Sequence, residues 1–116
     1  MAVWLHGREN LDEVGEEDFF NPFLSMIKAG YGSLCYQNQW CIYDQILVNS
    51  TLAKAPQGGL KITPLVKNTY YGRIFKKPFM IQQKGQYKDQ PFRTFSNGSF
   101  IGGYSDHFPT YILISK

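Results

Sequence analysis

The sequence predicts an α+β domain, a mostly antiparallel sheet with one or two flanking helices. Three observations predict it. Aromatic residues make up 16% of the 116 residues, with nine Phe, eight Tyr and two Trp, and rings in that number favour packed strands over a helical bundle. One segment, residues 21–30, carries helix punctuation at both ends. From Ser33 onward short apolar segments alternate with turn residues, which is strand patterning. At 13.4 kDa, 43% hydrophobic and 18% charged, the chain has the length of one domain rather than two, and its composition permits a sizeable core and argues against global disorder.

Taken in order, residues 1–18 are polar, acidic and broken by Gly7 and Gly15, and are expected to form a loose arm. In the helix that follows, Asn21 is the expected cap, Pro22 suits the first helical position and Gly30 ends it. Phe23, Met26 and Ile27 fall at i, i+3 and i+4 and make one apolar stripe. Leu34-Cys35-Tyr36 and residues 40–48 read as two strands joined by a loop at Gln37-Asn38-Gln39. In the second of them Ile42, Gln45 and Leu47 do not alternate, which fits a strand covered on both faces. Residues 49–54 make one helical turn and Pro56-Gln57-Gly58-Gly59 a loop. Residues 60–66 form a strand interrupted by Pro64, hence near a sheet edge. Residues 70–103 are basic and aromatic, with Asn97-Gly98 as a tight turn. Tyr111-Ile112-Leu113-Ile114 closes the chain as a buried-type strand.

No apolar run approaches the roughly 18 residues that span a bilayer. Met1 to Asn10 lacks the basic start and long apolar stretch of a secretion signal. Cys35 and Cys41 lie six apart with no second pair and no nearby histidine, which argues against zinc and for plain buried thiols, although facing strands would let them approach. Neither residue names a compartment.

The net charge of +3 hides an asymmetry. Glu9, Asp12, Glu13, Glu16, Glu17 and Asp18 crowd the start with only Arg8 against them. From Asn21 onward eleven Lys and Arg oppose Asp44, Asp89 and Asp106, a net of +8. A basic body suits a polyanionic partner such as a phosphate ester or nucleic acid; the bland alternative is a solvated surface. Within the basic stretch Arg73, Lys76, Lys77, Lys84 and Lys88 are the candidates for phosphate contact. Its aromatics either stack bases or anchor core and loops.

Two places carry chemistry. In Ser105-Asp106-His107-Phe108-Pro109 an acid beside a histidine offers a metal ligand or orienter next to a proton-transfer group, or else a plain surface turn. The Gly102-Gly103 pair upstream permits a sharp approach of the backbone there. Asp44 lies in an apolar segment, where a buried carboxylate needs a partner. It either orients His107, a recurrent catalytic arrangement, or ties down a loop. His6 has no recognisable context and is expected at the surface.

Together these motifs resemble a known family. Tyr43-Asp44-Gln45-Ile46-Leu47-Val48 and, about sixty residues on, Tyr104-Ser105-Asp106-His107-Phe108-Pro109 look like the C-terminal half of the endonuclease/exonuclease/phosphatase superfamily, the deoxyribonuclease I-like fold. Phe20-Asn21-Pro22-Phe23, Phe75-Lys76-Lys77-Pro78-Phe79, Gly85-Gln86-Tyr87-Lys88 and Arg93-Thr94-Phe95 are similar to bacterial members, so the resemblance covers roughly residues 12 to 116. It implies half of a four-layer α/β/β/α sandwich and a metal-dependent phosphoester hydrolase. His107 would act at the scissile phosphate as general base or charge partner, Asp44 would hold the His107 ring, and Asp106 would join a magnesium or manganese site. Full members carry a further N-terminal half, with the principal metal-binding glutamate, another histidine and a Gly-Asp-x-Asn segment. None of these is in the chain, and Gly7-Arg8-Glu9-Asn10 does not match. The resemblance therefore implies residues 1–116 as a C-terminal half-domain, inactive alone, whose uncovered sheet pairs with itself or with a missing N-terminal half. The alternatives are a non-catalytic phosphate- or nucleic-acid-binding module of the same fold, and a purely structural interaction domain. Substrates open to it include nucleic acid, nucleotides and lipid head groups.

Overall fold

The computed structural model describes residues 7–116; the expectations for residues 1–6, His6 among them, lie outside the described residues. In chain order the elements are strands β1 (Gly7–Arg8) and β2 (Phe19–Phe20), helix α1 (Leu24–Lys28), strands β3 (Leu34–Tyr36), β4 (Gln39–Cys41) and β5 (Val48–Asn49), and helix α2 (Ser50–Ala53). Strands β6 (Lys61–Thr63), β7 (Gly72–Ile74), β8 (Phe95–Ser96), β9 (Ser99–Phe100) and β10 (Thr110–Ser115) complete them. Among the described residues this is a mixed α+β architecture with two short helices and mostly antiparallel pairing; β1 with β2 is parallel.

Strand β10 organises the fold. Its first half pairs with β7, Thr110 opposite Ile74 and Ile112 opposite Gly72; its second half pairs with β6, Leu113 opposite Thr63 and Ser115 opposite Lys61. The order β6-β10-β7 leaves β6 at an edge, where Pro64, just past its end, breaks no ladder bond. Alternation along β10 puts Ile112 on the inner face, where it touches both core clusters. One cluster gathers Val14, Phe20, Val48, Ala53 and Ile62. The other packs Phe23, Met26 and Ile42, with Ile27 against them, which is the helical stripe the spacing predicts. Phe23 lies directly on Gly72: a Cβ there would sit 2.7 Å from the Phe23 ring, so the close helix–sheet approach requires glycine.

Four expectations change. Residues 7–18 are not a loose arm, because β1 is paired, residues Leu11–Glu13 form a 3-10 turn and Val14 is buried in the core. Asn21 does not cap α1; its Oδ1 accepts from the Phe23 amide at 3.0 Å and caps the turn leading into the helix, whose last turn ends at Gly30 with φ +93°. The strand expected over 40–48 stops at Cys41, since residues 42–47 leave the β3–β4 hairpin to reach β5 in another sheet. Strand β10 is central but not buried throughout: Ser115 and Ile114 are exposed, and Tyr111 and Leu113 on its other face are half-buried. In the hairpin Cys35 pairs with Trp40 and Cys41 with Leu34, so the two thiols lie on opposite faces and remain free.

Candidate active site

The loop before β10 carries His107, and three local features shape it. Gly103 presses on the preceding segment so closely that a Cβ would lie 2.0 Å from the Phe92 carbonyl oxygen. Its amide donates to Arg93 O at 3.0 Å, and its own carbonyl accepts from Thr94 Oγ1 at 3.0 Å. The Ser105 hydroxyl accepts from the His107 amide at 3.1 Å and closes the turn. Phe108 then anchors the loop: it is fully buried, its ring stacks on Trp40 at 6.4 Å and 12°, and its amide donates to Ser33 O at 2.6 Å. Burial of one such ring contributes about 1.5–3 kcal/mol, which outweighs the exposed bonds of the turn.

Asp44 comes from the irregular segment after β4. Ile42 is buried two residues before it, and Gln45 donates back to Ile42 O at 2.7 Å while accepting from Asn21 Nδ2 at 2.8 Å. Thr110 Oγ1 donates to the Asp44 carbonyl at 2.7 Å. The carboxylate is therefore held by its backbone and is not sunk in an apolar strand: its side chain is 43% exposed and that of His107 is 32% exposed.

The two side chains meet. His107 Nδ1 lies 2.6 Å from Asp44 Oδ2 across 63 residues of sequence. Ser33 Oγ donates to the same oxygen at 3.3 Å. An ionised Asp44 can only accept, so Nδ1 is the donor, and in the neutral ring Nε2 is the nitrogen that carries the lone pair; no partner bonds Nε2 among the described residues. Both residues line an open cleft of about 330 Å³ that Met80, Tyr104, Ser105 and Thr110 also line. Tyr43, beside Asp44, is exposed, and charge repulsion from Cys41, then a hydrogen bond with it, raises its phenol above the ordinary value. It is neutral at pH 7.

The other candidates stand apart. Asp106 is exposed and does not line that cleft; it lines two neighbouring depressions, each with Arg93. No group of three His, Cys, Asp or Glu side chains capable of holding a metal ion occurs among the described residues, so the residues present do not fit a complete magnesium or manganese centre. Arg73 sits in β7 opposite Tyr111, its Nε buried and unpartnered. Lys76 Nζ lies 5.6 Å from the Phe108 ring centre and 5.8 Å from that of Trp40, and Lys77 Nζ lies 5.5 Å from Phe75. Lys84 lines an apolar depression near Phe79, and Lys88 is exposed. Sequence reasoning missed Ser33 and Thr110, since a lone hydroxyl in a turn or at a strand start carries no pattern.

A family model described as Endonuclease/Exonuclease/phosphatase family matches residues 5–116 of the chain. No curated protein and no solved structure matches it.

Proposed function

The chain belongs to the endonuclease/exonuclease/phosphatase family, and from that premise we propose that His107 and Asp44 form part of a site hydrolysing a phosphoester by in-line attack of water. The observation that carries this reading is the 2.6 Å bond between His107 Nδ1 and Asp44 Oδ2 in an open cleft. With Nδ1 held as donor, Nε2 is the basic nitrogen. It takes the proton of the attacking water or, once protonated, offsets negative charge gathering on the phosphate. Asp44 stabilises the imidazolium in either role. Arg73, Lys76 and Lys77 are proposed to hold the phosphate oxygens that do not react.

Magnesium or manganese would supply charge neutralisation at the phosphate. Asp106 is the one carboxylate proposed for it here, and one carboxylate does not make a centre, so no step is derived through the metal. We further propose the chain as the C-terminal half of a four-layer sandwich. A second sheet, from an N-terminal half or from another copy, would cover the β6-β10-β7 sheet and bring further ligands toward Asp106.

Hydrolysis of a chromogenic phosphodiester with magnesium, with chelator, and by the His107→Ala and Asp44→Asn variants tests this. Each variant is expected to lose about 10²–10⁴ in rate and to keep its fold, because neither side chain belongs to the core. If the chain alone is inactive, the same loss is expected once an N-terminal half is added. Unchanged turnover in either variant removes the catalytic assignment. The second reading, a non-catalytic phosphate- or nucleic-acid-binding module, is favoured by the absence of a three-ligand cluster among the described residues. It predicts salt-sensitive binding without turnover in any assembly.

A further inference from the structure

A second hollow, of about 500 Å³, shares no lining residue with the His107 cleft, and its size is ordinary for a small-molecule site. The β3–β4 hairpin lines it with Tyr36, Gln37 and Asn38, and the segment before β8 lines it with Gln86, Tyr87, Gln90 and Arg93. Gln90 singles it out. Only 7% exposed, it is one of three buried polar residues among those described. Its amide donates to Tyr87 O at 3.1 Å, its carbonyl accepts from the Gln82 amide at 2.8 Å, and the adjoining Pro91 is fully buried. Its Oε1 accepts from Arg93 Nη2 at 3.1 Å. Its Nε2, with two protons to give, has no partner among the described residues. The other two buried polar residues spend their donors, Asn21 Nδ2 on Gln45 and the Ser33 hydroxyl on Asp44. A buried amide fixed at one end and open at the other is costly unless something accepts from it.

Charge selects a neutral occupant. Arg93 spends both protons of Nη2, on the Cys35 carbonyl at 3.2 Å and on Gln90, and its guanidinium covers one face of Tyr87 at 4.6 Å. Asp106 lines the same hollow with a charge of opposite sign, and no lysine lines it among the described residues. A guanidinium so committed, beside a carboxylate, is a poor seat for a phosphate. The remaining polar lining is carboxamide, from Gln37, Asn38, Gln86 and Gln90. Each carboxamide sets a donor beside an acceptor, and a hydroxyl, itself both, can use the two together. Tyr36 is 63% exposed and adds a flat apolar wall. The turn holds Gln37 at φ +50°, where glycine sits more cheaply, so the chain keeps that amide at a cost in backbone strain.

We infer that this hollow binds a neutral pyranose. Gln90 Nε2 donates to one ring hydroxyl, the amides of Gln37, Asn38 and Gln86 bond its neighbours, and Tyr36 receives the C–H face of the ring. A zwitterion would need Arg93 free, and an apolar ligand would leave four carboxamides unpaired. The inference does not rest on the phosphoester reading. Neither His107 nor Asp44 takes part, and Asp106 contributes only the charge that offsets Arg93.

Titration of the nitrogen-15-labelled chain with the methyl glycosides of glucose, galactose, mannose and N-acetylglucosamine, in chelator, tests it through the side-chain amide resonances. At least one glycoside is expected to shift the Gln90 and Asn38 amides saturably at millimolar concentration, while inorganic phosphate leaves both unmoved. Gln90→Glu keeps an acceptor for Arg93 and loses the donor, so it should weaken that glycoside about tenfold. Tyr36→Ala, at an exposed position, should weaken it about three- to tenfold with the melting temperature unchanged. Shifts caused by phosphate and by no glycoside would overturn the inference and join the hollow to a phosphate site. Shifts caused by neither would overturn it and leave Gln90 to solvent. Glycoside binding that survives both substitutions would put the sugar elsewhere on the chain and overturn it as well.

Discussion

Ser33 is fully buried, and each of its polar groups serves the site. Its hydroxyl donates to Asp44 Oδ2, its carbonyl accepts from the Phe108 amide, and its own amide donates to Cys41 O at 2.8 Å. It does not line the cleft, yet it ties the aspartate to the loop that carries the histidine. We therefore treat it as a positioning residue. Ser33→Ala is expected to cost about 1 kcal/mol of stability and to lower kcat of any His107-dependent hydrolysis with KM unchanged. Thermal melts and steady-state kinetics separate these effects, and a nitrogen-15 spectrum reports whether Nδ1 of His107 still carries its proton. A raised KM with kcat intact would assign Ser33 to substrate binding instead. Thr110 fixes the same aspartate from the other side through its backbone carbonyl.

Among the elements, the β3–β4 hairpin is the platform on which the His107 loop rests. Its two-residue turn has φ +50° at Gln37 and +63° at Asn38, the left-handed pair that matches the twist of the strands. Asparagine tolerates this region and glutamine does so less well. Gln37→Gly is expected to stabilise the chain by about 0.5–1 kcal/mol, seen as a higher denaturant midpoint with an unchanged slope. The stacked rings of Trp40 and Phe108 join the hairpin to the loop. Phe108→Ala should cost about 3–5 kcal/mol and shift the His107 resonances, because it removes the anchor next to the histidine. A small change in melting temperature would mean that the backbone bonds alone hold the loop.

For the whole molecule, the distribution of covered and uncovered surface matters most. The acidic leader is braced within itself by the Arg8–Asp18 pair at 3.1 Å and joined to the body by the Lys28–Glu9 pair at 2.6 Å. Exposed pairs of this kind contribute about 0–1 kcal/mol each, so burial of Val14, not charge, holds the leader in place. The opposite condition prevails near β6 and the end of β10, where Leu60, Leu65, Val66 and Ile114 are exposed. On the half-sandwich proposal this surface drives association. Sedimentation velocity should find the chain self-associated, and Leu65→Lys with Val66→Lys should return it to monomer without a large change in melting temperature. A monomeric unmodified chain would refute self-association and leave a separate covering sheet to be found.

The sequence by itself determined the features that depend on a few neighbouring residues. The stop at Gly30, the cap of α2 by Asn49, whose Oδ1 accepts from the Leu52 amide at 3.0 Å, and the turn at Asn97-Gly98 all follow from local φ preferences and side-chain hydrogen bonds. The family was legible because its two motifs are short and continuous. Tertiary structure decided everything that joins distant segments. It ended the strand at Cys41, left Asp44 exposed, drew Val14 into the core, set Asp106 outside the cleft and brought Ser33 to Asp44. It also closed the 2.6 Å contact between Asp44 and His107. Pairing across 63 residues depends on strand register and on which ring fills which gap. Those are properties of the packed core that no window of sequence carries.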